Sequence, residues 1–283
     1  MKSLGRRTIQ YAGNAIALEY DNPAAEELLD SIIYSFPSPT NSKPSSTIRV
    51  EITDSLERSY SIILDGNQIY KSLNNVDFAE MLLSKICYQL AFDSRDGMLF
   101  HAAGLGFNHI GVQIPGGIGY GKSTFTAWMV ANGCDYFSDE FVYFPWETET
   151  MISFSRPIHL KKSSRNVLSS LIDYGADTSL VKVGTNSDLV NPLLLNPDNK
   201  YSQPPVNLIL FPRYETGAEL DWRPLSSAET GLELMKFLIN ARNLPDHGFN
   251  EIARLARATK GIKFTYSSFE QIEKNIKGIL DNF

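Results

Sequence analysis

The ten residues PGGIGYGKST, at positions 115–124, constrain this chain more than any other stretch of its sequence. Four of them are glycines, and a glycine fixed in a loop loses more backbone freedom than any other residue. The run HIGVQI (109–114) before the loop is typical of a buried strand, and the run STFTAWMVANG (123–133) after it is typical of a helix. A strand, a glycine-rich loop and a helix in this order predict an α/β fold.

The glycine-rich loop fits the phosphate-binding pattern G-x-x-x-x-G-K-[ST] through Gly116, Gly121, Lys122 and Ser123. Its glycines let backbone N–H groups approach an anion, and the following helix directs its positive end at the same point. Lys122 would neutralise the β- and γ-phosphates, and the Ser123 hydroxyl would bind Mg²⁺. The strand before the pattern and the helix after it favour this interpretation over a chance match. The loop residues expected to contact ATP are Gly116, Gly117, Gly119, Tyr120, Gly121, Lys122, Ser123 and Thr124.

An acidic pair, Asp139 and Glu140, directly follows the predicted strand CDYFS (134–138). The preceding helix covers about 16 Å at ~1.5 Å per residue, and the returning strand covers about the same distance at ~3.3 Å per residue. A right-handed crossover of this size would bring Asp139 to the sheet edge that carries the glycine-rich loop. A carboxylate there can orient Mg²⁺ or accept a proton from an attacking hydroxyl. The alternative, most open for Glu140, is a solvated acidic turn.

Composition narrows the classes of partner. The chain has 283 residues, a net charge of −6 and a pI near 5.3, so it offers no broad basic surface for nucleic acid or an anionic membrane. No run of 18 apolar residues predicts a bilayer span, and the basic start of the chain lacks the apolar core of a signal peptide. Cys87 and Cys134 are too few for a disulfide framework and are interpreted as core thiols. We expect a cytoplasmic protein.

Periodicity suggests two domains, at 1–95 and 96–283. The first is predicted to be an α+β subdomain, with helices at 24–36 and 78–92 and strands at 46–54 and 60–66. In the second, strands are predicted at 98–107, 109–114, 134–138 and 206–212. Capping boxes at Ser226 with Glu229 and at Ser267 with Glu270 predict two helix starts. The stretch 179–205 is expected to hold little regular structure, as a lid or binding loop would.

Several segments together resemble a known family. They are FHAAG (100–104), which contains His101, PGGIGYGKST, FSDEFVYF (137–144) and FSRPIHLKK (154–162). Their order is similar to that of the HPr kinase/phosphorylase family, and more closely to its HPr-kinase-related branch, some members of which accompany peptide-maturation clusters such as those for lasso peptides. The resemblance covers roughly 98–283 and is most specific in its first third. Looser matches are LILFPRYETGAELDWRPLSSAE (208–229) and FTYSSFEQIEKNI (264–276).

The resemblance implies a P-loop kinase core of the HPr kinase/PEP carboxykinase type with an N-terminal α+β subdomain. It implies transfer of phosphate from ATP, with Mg²⁺, to a serine-type hydroxyl of a peptide or protein, and a possible homo-oligomer. By position, Lys122 would bind phosphate, Ser123 and Glu140 would bind the metal, and Asp139 would be the general base. His101 would support that base, although a lone strand histidine is otherwise more often a core residue. Reversal by phosphate is not predicted, because the signature for it is not found.

Two arginines are further candidates for neutralising the γ-phosphate, Arg156 in FSRP and Arg213 in FPRY. For both, an ordinary solvated turn is the alternative. Two other functions also remain open. One is a kinase for a small alcohol, sugar or nucleoside. The other is a module that binds a nucleotide without transferring its phosphate. Two features leave this interpretation open, the bulky Tyr120 between glycines and the glutamate at position 140.

Overall fold

A computed structural model describes residues 5–34, 43–54, 57–175, 179–200 and 203–282. These residues form an α/β fold, as the strand, loop and helix pattern predicts. The strands are β1 (Gly5–Tyr11), β2 (Asn14–Tyr20), β3 (Ser46–Asp54), β4 (Arg58–Leu64), β5 (Asn67–Ser72), β6 (Gly97–Phe107), β7 (Ile110–Pro115), β8 (Asp135–Ser138), β9 (Phe141–Pro145), β10 (Ile158–Lys161), β11 (Val181–Val183), β12 (Ser187–Val190), β13 (Val206–Tyr214), β14 (Asp221–Leu225) and β15 (Lys260–Tyr266). The α-helices are α1 (Pro23–Asp30), α2 (Asn75–Phe92), α3 (Lys122–Ala131), α4 (Arg165–Leu168), α5 (Ser227–Met235), α6 (Phe249–Ala258) and α7 (Phe269–Leu280).

The chain divides into two compact units. The first contains residues 1–95 and 155–191, and the second contains residues 96–154 and 192–283. The sequence-based division placed 155–191 in the second domain, whereas in the structure this segment belongs to the first unit. The main-chain N–H of Tyr34 bonds the carbonyl of Ser155 at 3.3 Å, and Lys182 Nζ donates to Ser31 Oγ at 2.5 Å.

The first unit has a five-stranded sheet in the order β1-β2-β3-β4-β5, in which β2 and β3 are parallel and the other neighbours antiparallel. Helix α2 begins where Asn74 accepts the N–H groups of Val76 and Asp77, and it buries an apolar stripe that includes Phe78 and Leu82. The strands β1, β2 and β5 were not predicted. Helix α1 ends earlier than predicted, and positions 35 and 36 of that prediction lie outside the described residues.

The stretch 179–205 contains more regular structure than expected. Within it, β11 and β12 pair with each other, and β12 also pairs with β10, so that three short strands form a sheet in the order β10-β12-β11. The N–H of Gly184 bonds the carbonyl of Ser187 and closes the turn between β11 and β12. The expectation of an irregular loop was therefore wrong for residues 181–190, while positions 201 and 202 lie outside the described residues.

The second unit is built on a seven-stranded sheet in the order β14-β15-β13-β7-β6-β8, with β9 also paired to β6. Strands β7, β13 and β15 are parallel, and β6 and β7 form the predicted hairpin, with Asn108 at its turn in the left-handed region (φ 53°). The core contains Phe100 and Phe211 from the sheet together with Leu234 of α5 and Leu255 of α6.

Two helix starts test the predicted capping boxes. At α5 the prediction is confirmed, because Ser226 and Glu229 bond each other's main-chain N–H groups. At α7 the prediction is wrong by one residue, since the box is formed by Ser268 and Gln271. None of the helices in the described part of the chain combines the length and apolarity of a bilayer span.

Candidate functional site

The glycine-rich loop of residues 116–121 joins the end of β7 to the start of α3, and β7 lies inside the sheet between β13 and β6. Two of its glycines adopt left-handed conformations, Gly119 with φ +87° and Gly121 with φ +80°. A Cβ at Gly121 would also lie 2.9 Å from Cβ of Tyr214, which is closer than side-chain carbons pack. The loop conformation therefore requires glycine at position 121.

Hydrogen bonds hold the loop against its surroundings. The N–H of Tyr120 bonds the carbonyl of Gly117 at 3.2 Å, and the N–H of Tyr214 bonds the carbonyl of Tyr120 at 3.0 Å. The N–H of Phe125 bonds the carbonyl of Gly121 and makes the first helical bond of α3. The N–H groups in the first turn of a helix have no partner within the helix and carry the positive end of its dipole. Ser123 and Thr124 lie in this turn, so their main-chain donors suit an anion.

Lys122 links the loop to the acidic pair. Its side chain is buried, with 6% of its surface exposed, and Nζ donates a hydrogen bond to the main-chain carbonyl of Asp139. A buried ammonium is costly unless it has a polar partner. The structure thus brings together the lysine of the loop motif and the first residue of the acidic pair.

The register of β6 explains why these residues meet. Ala102 on β6 pairs with Pro115, the last residue of β7, and on its other side its N–H bonds the carbonyl of Glu140 at 3.2 Å. Strand β8 pairs with β6 up to Ser138, and β9 pairs from Phe141, so the acidic pair fills the gap between two strands that follow the same edge. At a strand spacing of ~4.8 Å, the backbone of the pair lies about 10 Å from the start of the loop.

The carboxylate of Asp139 is inside the protein, with 1% of the residue exposed. The hydroxyl of Tyr136 donates to its Oδ1 at 3.3 Å. The hydroxyl oxygen of Ser138 accepts the N–H groups of Glu140 and Phe141 at 3.2 and 3.1 Å, which fixes the turn that carries the pair. Sequence reasoning missed Tyr136 and Ser138. The available signal was that they alternate with the apolar Phe137 on the strand that leads to the pair.

His101 lies beside the second acidic residue. The pairing of His101 with Phe141 places its imidazole next to Glu140, with Nε2 3.9 Å from Oε1. Both side chains are partly exposed. The predicted support of Asp139 by His101 stays a prediction, and the observed neighbour of the imidazole is the glutamate.

Arg213 lies at the end of β13, on the other side of the loop. Its guanidinium carbon is 6.0 Å from the centre of the Tyr120 ring, and Nε is 3.6 Å from Glu215. It is therefore a neighbour of the glycine-rich loop, although its contact with a nucleotide stays a prediction.

Arg156 belongs to the first unit, where it is buried and Nη1 lies 4.0 Å from Sγ of Cys87. This environment contradicts the alternative of a solvated turn for Arg156, whose predicted contact with the γ-phosphate stays untested. In the same unit, Ser187 donates to Oε1 of Glu80, and His159 Nε2 lies 3.6 Å from the same oxygen. We call Glu80, His159 and Ser187 the Glu80 cluster.

The residues predicted to bind Mg²⁺ offer a hydroxyl and a carboxylate. Oxygen ligands suit this ion, which usually takes one or two protein carboxylates and completes its shell with phosphate and water. Ser123, in the first turn of α3, and Glu140, partly exposed beside β6, have the right chemistry for this role. No three His, Cys, Asp or Glu side chains in the described ranges gather to hold a metal by themselves. With phosphate and water as further ligands, this hydroxyl and carboxylate suit the ion.

The Cys134 thiol is not a candidate nucleophile. Both cysteines are buried, as predicted for core thiols. Burial, with a smaller effect of Asp135, raises the pKa of the Cys134 thiol to about 12. At neutral pH this thiol is protonated, and the thiolate is the reactive form.

No protein-family model matches this chain, and no curated protein matches its sequence. Among solved structures, the chain is similar to the Hpr(Ser) kinase/phosphatase from Coxiella burnetii, with a TM-score of 0.33 and 15% identity. The likeness covers 65% of this chain and 88% of that chain. This likeness is weak.

Proposed function

We propose that this protein is an ATP-dependent kinase that transfers the γ-phosphate to a serine-type hydroxyl of a peptide or protein. The observation that carries the proposal is the bond from Lys122 Nζ to the Asp139 carbonyl, at the foot of the glycine-rich loop. A phosphate-binding loop, a lysine and a buried carboxylate are the parts that phosphoryl transfer requires. Each of them comes from a separate element, and the sheet register joins them.

In the proposed reaction, the acceptor hydroxyl attacks the γ-phosphorus of ATP. Its proton passes to the carboxylate of Asp139, the new O–P bond forms, and the bond between the γ-phosphorus and the β,γ-bridging oxygen breaks, with the electron pair leaving on ADP. Lys122 would exchange its carbonyl partner for the β- and γ-phosphates and neutralise their charge. The main-chain N–H groups of the loop and of the first turn of α3 would bind the remaining phosphate oxygens.

The neighbouring residues have supporting roles in this proposal. Ser123 and Glu140 would hold Mg²⁺, which supplies charge neutralisation on the phosphates. His101, 3.9 Å from Glu140, would orient that carboxylate. A peptide acceptor is inferred from the sequence resemblance and a homo-oligomer is compatible with it. The proposed role of Asp139 as general base calls only for an acceptor that carries a hydroxyl.

One observation favours a second candidate, a module that binds ATP without transferring its phosphate. The Asp139 carboxylate is almost fully buried and already accepts a hydrogen bond from Tyr136. For catalysis this carboxylate must be reached by an acceptor once ATP is bound. If it is not reached, the loop can still bind nucleotide and report its presence.

The test is a transfer assay with γ-labelled ATP, Mg²⁺ and candidate precursor peptides or lysate, followed by mapping of the modified residue. A kinase gives labelled peptide with phosphate on a serine-type hydroxyl, together with ADP in equal amount. If a small alcohol, sugar or nucleoside becomes labelled instead, the protein is a small-molecule kinase. Tight ATP binding by calorimetry, with neither labelled product nor ADP, would overturn the kinase and support the binding module.

A further inference from the structure

The sheet order gives the glycine-rich loop two different sides. On one side of β7 lie β6 and then the gap that holds Asp139, and on the other lies β13, which pairs with β7 in parallel. Because parallel strands end at the same edge of a sheet, the end of β13 emerges beside the loop. A nucleotide whose γ-phosphate faces Asp139 would extend its nucleoside toward the β13 side.

The β13 side carries exposed aromatic surface. Tyr214, the last residue of β13, has 40% of its surface exposed, and Tyr120 has 42%. Single exposed aromatic rings are common, but two that lie together at the rim of one loop are a candidate binding surface. They are also joined to each other by the bond from the Tyr214 N–H to the Tyr120 carbonyl.

The surroundings of the Tyr214 ring hold it in place. Tyr214 packs edge-on against the buried ring of Tyr266, with ring centres 5.8 Å apart, and its Cβ faces Gly121 of the loop. The Arg213 guanidinium lies over the Tyr120 ring. Aromatic side chains held in this way lose little additional freedom when a ligand stacks on them. The surface formed by Tyr120, Arg213 and Tyr214 is called the β13 rim below.

We propose that the β13 rim is the subsite for the base and ribose of the nucleotide, with Tyr214 and Tyr120 as stacking residues and Arg213 as a cation beside them. The inference rests on the proposed function, since it takes the phosphates to lie in the glycine-rich loop. It adds Tyr214, which lies outside the phosphate-binding motif, and gives Tyr120 and Arg213 a role beside the nucleoside. Stacking acts on the face of the base, so the rim accepts purines without reading their polar edges.

The experiment compares two ligands that differ only in the nucleoside. The full chain is titrated with ATP and with inorganic tripolyphosphate by calorimetry, each with Mg²⁺. Tyr214→Ala is expected to weaken ATP about 5- to 100-fold, the usual range for removing one aromatic stacking partner. It should leave the Kd for tripolyphosphate within about twofold, because the loop main chain is unchanged. Tyr214→Phe should bind both ligands like the wild type.

Two further variants keep the test decisive. Tyr120→Ala removes an exposed ring without disturbing the core. It therefore tests the rim even if a thermal unfolding control shows that Tyr214→Ala does not fold. Tyr88→Ala, which removes a similarly exposed tyrosine on α2 of the first unit, is the matched control and should not change either Kd.

The possible outcomes separate the two proposals. A loss that is confined to ATP supports the rim. An equal loss for ATP and tripolyphosphate would show that the tyrosines only shape the loop, and would overturn the rim while leaving the phosphate site intact. Wild-type protein that binds tripolyphosphate as tightly as ATP would also overturn it. Wild-type protein that binds neither ligand would remove the proposed function itself, and the rim with it.

Discussion

Two clusters of polar side chains in this molecule each combine a carboxylate, a hydroxyl and a basic group. They differ in the backbone that surrounds them. The Glu80 cluster of the first unit contains a carboxylate, an imidazole and a hydroxyl, the types that serve in nucleophilic catalysis. The cluster of Lys122, Tyr136 and Asp139 in the second unit contains an ammonium, a phenol and a carboxylate. In the Glu80 cluster the Ser187 hydroxyl and the imidazole of His159 both face the same carboxylate oxygen.

The setting decides which cluster is a candidate site. In the Glu80 cluster the hydroxyl donates directly to the carboxylate, so the imidazole does not stand between them as a general base would. The Lys122 cluster adjoins a loop and a helix start whose main-chain N–H groups suit an anion. Converging titratable groups are therefore not by themselves a sign of a site. What distinguishes the Lys122 cluster is the set of main-chain N–H groups beside it, which suit an anion.

The largest effect is expected from Asp139→Asn. If this carboxylate accepts the acceptor proton, phosphoryl transfer should fall by about 10²- to 10⁴-fold. ATP binding should stay nearly unchanged, since the amide keeps the size and the main-chain carbonyl that Lys122 bonds. Transfer is measured with labelled ATP and binding by calorimetry. If the variant no longer binds ATP, the main role of Asp139 is in metal binding or in the fold. The Lys122 cluster would then resemble the Glu80 cluster in being structural.

Lys122→Ala should weaken binding as well as turnover. Losing a hydrogen-bonded positive charge at the phosphates corresponds to about 1.5–3 kcal/mol, or about 10- to 150-fold in the Kd for ATP. Lys236→Ala, which removes an exposed lysine from the end of α5, is the control and should bind ATP normally. Unchanged ATP affinity in Lys122→Ala would mean that the buried lysine is a structural partner of Asp139, as the groups of the Glu80 cluster are for one another.

A smaller effect is expected from Gly121→Ala. The left-handed backbone at this position disfavours any side chain by about 1–2 kcal/mol, and the new Cβ would meet Tyr214. Gly133→Ala is a matched control, because Gly133 has φ +93° and open space around its would-be Cβ. Both variants should lower the thermal unfolding midpoint, but only Gly121→Ala should also weaken ATP binding. Equal ATP affinity in the two variants would argue against the loop as the phosphate site.

The parts of the candidate site that the sequence predicts are the local ones. The glycine-rich loop and the acidic pair are visible because their residues are adjacent in the chain and follow a strand. Tyr214 is not visible in this way, since it reaches the loop only through the pairing of β13 with β7, about ninety residues apart in sequence. Tyr136 and Ser138 read as ordinary strand positions until their bonds to the acidic turn are known.

The misplaced elements have similar causes. Ser267 with Glu270 and Ser268 with Gln271 are two capping boxes of identical spacing, so the pattern could not choose between them. The strands β10, β11 and β12 have only three or four residues each, too few for an alternating pattern. Their assignment to the first unit depends on long-range contacts such as Ser187 with Glu80, which no local signal predicts.

The smallest effect concerns the pH dependence of the Glu80 cluster. Burial raises the pKa of Glu80, but hydrogen bonds from His159 and Ser187 outweigh it, so the net shift is downward. A carboxyl group with a lowered pKa in the folded state stabilises the protein above its unfolded pKa, and this contribution disappears as the pH falls through the folded pKa. Glu80→Gln should therefore reduce the free energy of unfolding near neutral pH by less than about 1 kcal/mol, since the group is partly solvated.

As the pH falls below the lowered pKa of Glu80 in the folded state, Glu80→Gln and the wild type should become equally stable, because both side chains are then neutral. Denaturant unfolding at a series of pH values measures this difference, with Glu273→Gln on the exposed side of α7 as the control. Phosphoryl transfer per folded molecule should not change. If Glu80→Gln keeps full stability but loses phosphoryl transfer, the Glu80 cluster takes part in the chemistry. The backbone setting would then not distinguish the two clusters.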